Sequence, residues 1–218
     1  MMMKEFLVEI NSYDSFCTYQ YVSRETYEKF EIFHATLVKW QKSINLISNS
    51  SLEYVWTRHF LDSAQLYNLT ENIRGNIIDM GSGAGFPGII LAMMGNKNIN
   101  VVESDQKKCT FMREVARLTN TKITIHNCRI EELNYIEPDL ITSRALAPLK
   151  KLVEYVELHM NKNTISKKKM PNMLFLKGKL YNDELNELKK TRTFEFKVYP
   201  SITNEYGKIL YINNLIMS

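Results

Sequence analysis

The stretch that most constrains this chain is Ile77-Ile78-Asp79-Met80-Gly81-Ser82-Gly83-Ala84-Gly85-Phe86-Pro87-Gly88, IIDMGSGAGFPG. An apolar run that ends in an acid and then a cluster of glycines is a strand turning tightly into a helix, with backbone able to approach a ligand closely. Two parses compete. Counted from Gly83 it spells G-x-G-x-x-G, the dinucleotide fingerprint, and Glu103 lies about 20 residues on, where that fingerprint expects an acid for a ribose hydroxyl. Counted from Asp79 it spells D-x-G-x-G-x-G, a turn that holds an amino acid and an adenosine.

Register favours the second parse. In the dinucleotide fingerprint the first glycine directly follows the apolar strand, whereas Gly83 follows Asp79-Met80-Gly81-Ser82. With Asp79 at the strand tip, Gly81, Gly83 and Gly85 form the loop and Gly88 falls inside the helix. Pro87 then lies near the first helical position, where a missing N–H costs nothing. An acid at that tip suits a ligand bearing an ammonium group, which S-adenosylmethionine has and NAD lacks.

Around this turn, short β-rich runs alternate with helical ones, the signature of a mostly parallel α/β sheet with crossover helices. Strands are predicted at 76–80, 99–103, 122–127, 140–143 and 173–177, with helices at 87–94, 106–119, 148–160 and 182–190. Runs 193–199 and 208–213 are both strand-like with no room for a helix between them, so an antiparallel hairpin closes the sheet. That ending, with the turn, resembles class I S-adenosylmethionine-dependent methyltransferases, a Rossmann-like fold. Upstream, apolar periodicity predicts helices at 23–43 and 51–67, the latter capped by Ser51. The expected organisation is a helical N-terminal extension over 1–72 packed on a methyltransferase domain over 73–218. The lysine-rich patch 161–169 reads as a surface loop.

Composition bounds the rest. The 28 Lys and Arg exceed the 24 Asp and Glu by enough to permit a polyanionic partner without requiring one. Cys17, Cys109 and Cys128 lie far apart without a C-x-x-C pair, and His34, His126 and His159 fit no ligand spacing, so neither a disulfide framework nor a metal site is expected. No window approaches the roughly 18 uninterrupted apolar residues of a membrane span. A cytoplasmic monomer is expected.

The end of the fourth strand, Asp139-Leu140-Ile141-Thr142-Ser143-Arg144-Ala145, narrows the methyl acceptor by elimination. It lacks the Asn or Asp followed by two prolines that accepts hydrogen bonds from an exocyclic base amine. Methylation at pyrimidine C5 needs a cysteine nucleophile, and neither Cys109, in a predicted helix, nor Cys128, on another loop, is placed for it. What is left is an acceptor that is already nucleophilic, such as N7 of guanine, which carries no proton. Catalysis then rests on alignment, with Arg144 holding a phosphate, the guanine O6 or the cofactor carboxylate.

Several short matches converge on one family. Trp40 with Asn45-Leu46, Arg58-His59-x-Leu61-Asp62-Ser63, the IIDMGSGAGFPG turn, Cys128-Arg129-Ile130-Glu131-Glu132, Ser143-Arg144-Ala145 and Lys177-Gly178 occur in order. This resembles the ribosomal RNA small subunit methyltransferase G family, also called glucose-inhibited division protein B, over roughly Trp40 to Lys179. The resemblance implies S-adenosylmethionine as cofactor, S-adenosylhomocysteine as product, and methyl transfer to N7 of one guanine in a conserved small-subunit ribosomal RNA loop near the decoding site, in free RNA or a ribosomal particle. It implies cofactor contacts at Gly81, Phe86, Ile130, Glu131 and Arg144. Asp79, Gly83 and Glu103 join them from the parse above, Glu103 on the ribose. Arg129, Lys107, Lys108, Lys177 and Lys208 are the RNA-contact candidates. The sequence departs from the family at Lys208, where an Arg is common, so a bidentate contact is lost there, and at Gln41, where an Asn is common. A methyltransferase for another RNA or a small molecule, a dinucleotide-binding redox protein, and a cofactor-binding RNA chaperone stay open as alternatives. For His59 a contact at the cofactor mouth competes with a satisfied helix histidine. Lys167-Lys168-Lys169 reads as a solvated run and Trp40 as core.

Overall fold

A computed structural model describes residues 8–162 and 170–216. The lysine run 167–169 and most of the expected 161–169 loop lie outside the described residues. Strands β1 (Asn76–Met80), β2 (Ile99–Glu103), β3 (Thr124–Asn127), β4 (Pro138–Arg144), β5 (Asn172–Lys177), β6 (Thr193–Pro200) and β7 (Lys208–Ile216) form one sheet in the order β3-β2-β1-β4-β5-β7-β6. The first five strands run parallel, and β7 is inserted antiparallel between β5 and β6. The central strands β1, β2, β4 and β5 are mostly buried and largely apolar because both sheet faces are covered. Ile77 enters one core with Phe33, Ile89 and Phe111, while its neighbour Ile78 enters the other with Val102, Val153 and Phe175.

The first core is shared with the N-terminal helices α1 (Tyr13–Tyr19) and α2 (Arg24–Gln41), whose Phe16, Phe30 and Phe33 are fully buried in it. Ser23 caps α2, its hydroxyl accepting from the Thr26 N–H. Helix α1, held by a Ser12–Ser15 capping box, had no counterpart in the sequence prediction. Gln41 pins the next loop, its Oε1 accepting from the Leu46 and Ile47 N–H groups.

The single helix expected at 51–67 is instead a broken path. It runs through α3 (Asn49–Leu52), a π-helical turn (Trp56–Leu61), α4 (Asp62–Ala64) and α5 (Tyr67–Thr70). Ser48 rather than Ser51 is its N-cap residue. The π turn widens the helix so that the Asp62 N–H reaches the Thr57 carbonyl, and π turns are common at functional sites. Helices α6 (Gly88–Met94), α7 (Gln106–Leu118), α8 (Leu149–Asn161) and α9 (Tyr181–Lys189) complete the layers.

Asp79 fixes how β1 feeds α6. Its side chain is fully buried, with Oδ2 accepting the Gly88 N–H at 3.0 Å and Oδ1 accepting the hydroxyl of Thr142, its register partner on β4, at 3.1 Å. A Cβ at Gly88 would lie 2.9 Å from Oδ2 and 2.7 Å from Val101 Cγ1, so only glycine lets the helix start this close to the strand. The Asp79 carboxylate, expected at a ligand ammonium, turns inward here and latches the turn from behind. Burial raises its carboxyl to about 6 against the opposing pull of its hydrogen bonds. The folded state thus keeps a proton that the unfolded chain gives up from its ordinary carboxyl pKa, so this group's contribution to stability is present at low pH and is lost as pH rises through about 4 to 6. We expect Asp79→Asn to remove a pH-dependent loss of on the order of 1–3 kcal/mol from urea-denaturation curves across that window. Superimposable pH dependences of wild type and variant would contradict it.

Candidate functional site

The carboxyl ends of the parallel strands meet where the chain order reverses, between β1 and β4, which is where ligands bind in open α/β sheets. On the β1 side, Gly81, Gly83 and Gly85 have φ of 67°, 59° and 95°, in the left-handed region that favours glycine. Their surroundings differ. A Cβ at Gly81 would strike Leu146 and one at Gly85 would strike Ile89, whereas one at Gly83 would meet nothing within 4 Å. Gly83 thus faces open space. Beside it stands Glu103 at the tip of β2, with Oε2 accepting the Gly83 N–H at 3.0 Å and Oε1 accepting the Asp105 N–H at 2.8 Å.

This arrangement separates the two parses physically. A dinucleotide pyrophosphate needs free N–H groups at the helix start, but the Gly88 N–H is spent on Asp79 and the Gly85 and Phe86 N–H groups on the Ser82 carbonyl. A buried acid behind the helix start also opposes a phosphate.

After β3 the chain enters a 3-10 turn, Ile130–Glu132, with Ile130 half-buried and Arg129 and Glu131 exposed. The Glu131 carbonyl accepts from Lys162 Nζ at 2.7 Å. Lys107 and Lys108 sit in the first turn of α7, their backbone N–H groups capped by Asp105. These residues lie along the β2–β3 side of the crevice.

The β4 side holds a different construction. A pocket of about 360 Å³ is walled by Arg58, His59 and Asp62 from the N-terminal helices, by Arg144 at the end of β4, by Lys177 on β5 and by the β6–β7 connection, including Thr203 and Lys208. Three basic residues expected to engage cofactor or RNA, Arg144, Lys177 and Lys208, thereby come to one cavity. They are not equivalent. Lys177 Nζ is 2.6 Å from Glu184 and 3.0 Å from the Ala147 carbonyl, its side chain only 10% exposed. That lysine, expected at RNA, braces the loop before α8 through these two contacts. Lys208 donates to the Glu205 carbonyl at 3.1 Å and stays partly exposed at the rim.

Arg144 is gripped from the N-terminal side. Its Nη1 donates to the Arg58 carbonyl at 2.8 Å and faces Asp62 Oδ2 at 3.5 Å, and its Nη2 lies 2.7 Å from His59 Nδ1. Its guanidinium sits 5.3 Å from the centroid of the Phe86 ring, in the glycine turn. Because a guanidinium can only donate, His59 must accept at Nδ1 and is therefore the neutral Nε2–H tautomer. Burial, reinforced by the charges of Arg144 and Arg58, lowers its pKa to about 2. His59 is thus a buried partner of Arg144 rather than a free base, and its Nε2 is buried with no hydrogen-bond partner among the described residues. Asp62 shifts the other way, its carboxyl raised by burial against the pull of Arg144 and Thr203. The roles of Asp62 and Thr203 were missed in the sequence, where they stand 141 positions apart.

The sheet order, the glycine turn and the strand-tip crevice are those of the class I methyltransferase fold. Among solved structures, magnesium protoporphyrin IX methyltransferase from Synechocystis, with S-adenosylmethionine bound, aligns at a TM-score of 0.54 and 11% identity, covering 88% of this chain and 98% of that one. Within that class the sequence is more specific: residues 26–209 match the profile of the family described as rRNA small subunit methyltransferase G, and the chain belongs to that family. Curated relatives named ribosomal RNA small subunit methyltransferase G include those of Paramagnetospirillum magneticum, 41% identical over 89% of this chain and 91% of the relative, and Rickettsia prowazekii, 41% identical over 89% and 97%.

His59 yields a pH prediction. Its folded pKa is depressed far below the ordinary imidazole value, so its contribution to stability is full above about 6.5 and is lost as pH falls, because the unfolded chain gains a proton the fold refuses. His59→Asn, which keeps an acceptor for Arg144, should flatten that loss by about 2 kcal/mol between pH values of roughly 6.5 and 5. Calorimetric melting across that range measures it, and equal slopes would contradict it.

Proposed function

We propose that the chain transfers the methyl group of S-adenosylmethionine to N7 of a guanine in small-subunit ribosomal RNA, acting in the cytoplasm. The supporting observation is that the ionisable groups at the crevice are committed to holding geometry: Asp79 to Gly88 and Thr142, and His59 and Asp62 to Arg144. Such a site aligns reactants and removes no proton, which suits a ring-nitrogen lone pair. The cysteines agree, since Cys109 donates to the Glu103 carbonyl and burial pushes its thiol up to about 11, and burial raises Cys128 as well. Neither thiol is primed for attack at pyrimidine C5.

The bound cofactor supplies an electrophilic methyl group. The open face of Gly83, with the Glu103 carboxylate beside it, fits a ribose whose hydroxyls donate to an acid. Gly81 and Phe86 frame the methionine end, and the Ile130 backbone with Glu131 lies where an adenine edge would reach past β2 and β3. Arg144 stands at the junction between that side and the pocket, where it positions the two reactants. Arg129, Lys107 and Lys108 on the same rim, and Lys208 across the pocket, meet RNA phosphates. The guanine enters unstacked, because N7 inside an A-form helix faces a groove too deep and narrow for side chains.

Two measurements test this. Radiolabelled methyl transfer to small subunits lacking the modification, followed by aniline cleavage at N7-methylguanine, should label one site; label on an exocyclic amine would refute the N7 assignment. Gly83→Ala should weaken S-adenosylhomocysteine binding in calorimetry by about tenfold or more, while its left-handed backbone costs only roughly 1–2 kcal/mol of stability. Unchanged affinity would remove the ribose from that face.

A further inference from the structure

Asp62 is a carboxylate shared by three elements. Its Oδ1 accepts the Thr203 hydroxyl at 2.6 Å and Gln65 Nε2 at 2.9 Å, while its Oδ2 faces Arg144 at 3.5 Å. Gln65 clasps the same β6–β7 connection, accepting the Ile202 N–H at 2.9 Å and donating to Ser201 Oγ at 3.2 Å. Ser201 and Thr203 are 5% and 2% exposed, and their hydroxyls lie 2.9 Å apart. A buried network of this kind is costly unless every member is satisfied, and a connection that needed only packing would be served by apolar side chains.

The distances are unequal in an informative way. The bond to Thr203 is as short as charge-assisted O–H···O bonds become, whereas the contact to Arg144 is longer than the 2.7–2.9 Å typical of a formed N–H···O pair. The carboxylate therefore leans toward the connection. A displacement of under about 1 Å would tighten its hold on Arg144 into a short charge-assisted pair. The connection forms one wall of the pocket through Ser201, Thr203, Asn204 and Gly207, and Arg144 forms another while lying over Phe86 of the glycine turn. The hydrogen bonds thus run from the acceptor-side wall through one carboxylate to the guanidinium at the junction with the cofactor turn.

We propose that Asp62 is a positioning residue for methyl transfer, coupling the seating of the acceptor nucleotide against the 201–207 connection to the orientation of Arg144. The inference rests on the methyltransferase reading above. An acceptor that draws Thr203 away releases the carboxylate to Arg144, and by linkage whatever Thr203 does to Arg144, Arg144 does to the connection.

Thr203→Val, which removes one hydroxyl at nearly constant volume, should lower kcat/KM for small-subunit RNA by about fivefold or more, with S-adenosylhomocysteine affinity within about twofold of wild type. Thr203→Ser, which restores the hydroxyl, should recover most of the loss. A structural role alone would lower the melting temperature without moving kcat/KM per cofactor-binding site. The free protein gives a second readout: Arg144→Lys, which leaves the carboxylate to the connection, should slow hydrogen exchange at the Ile202 and Thr203 amides by about fivefold or more. Wild-type kcat/KM in Thr203→Val, or wild-type exchange in Arg144→Lys, would overturn the coupling. Absence of methyl transfer by the wild type in the same assay would instead overturn the functional reading, and the exchange result would still judge the contact between Arg144 and the connection.

Discussion

A largely enclosed guanidinium organises this protein. Arg144 ends the strand at which the sheet changes direction, and removing its charge from water is expensive unless donors and partners are matched. The Arg58 carbonyl, the His59 ring nitrogen and the Asp62 carboxylate supply that match, all from the N-terminal helices. The helical extension is therefore part of the site. The π turn at Trp56–Leu61 is the local device that brings a carbonyl, an imidazole and a carboxylate to one guanidinium.

Apolar packing supports the same junction from beneath. Phe86 stacks on Phe33 of α2 at 4.9 Å with the ring planes 9° apart, and Phe60 meets it edge-on at 5.4 Å. Further rings, Phe30, Phe16, Tyr27 and Trp56, carry the contact back to α1. The glycine turn is thus held on both sides, by Asp79 from within the sheet and by aromatic rings from the extension. Its N–H groups close on the protein itself, and open space is left at Gly83. A turn built this way offers a nucleoside a shaped surface instead of an anion hole.

Much of this was legible in the sequence, for physical reasons. The central parallel strands announce themselves because strands covered on both faces are largely apolar, and the terminal hairpin because no helix fits between its strands. The position of Asp79 fixed the parse of the glycine turn, but its inward hydrogen bonds were not legible: an acid at a strand tip looks the same in sequence whether it faces a ligand or turns inward to a backbone N–H. The ion pair of Lys177 was illegible for the same reason, since only the fold brings Glu184 to it. The π turn was invisible because apolar periodicity over 51–67 fits an ordinary helix nearly as well. The Asp62–Thr203 contact depends on the hairpin folding back onto the extension, and no local pattern encodes it.

The central claim, that a neutral histidine and a carboxylate hold Arg144 at the junction, is tested most directly by the ring-nitrogen chemical shifts of His59. In protein labelled with nitrogen-15, the account predicts an Nε2–H tautomer with Nδ1 unprotonated and hydrogen-bonded, unchanged as the pH is lowered for as long as the protein stays folded. An imidazolium titrating near the ordinary histidine value of about 6.5, or a proton on Nδ1, would contradict it.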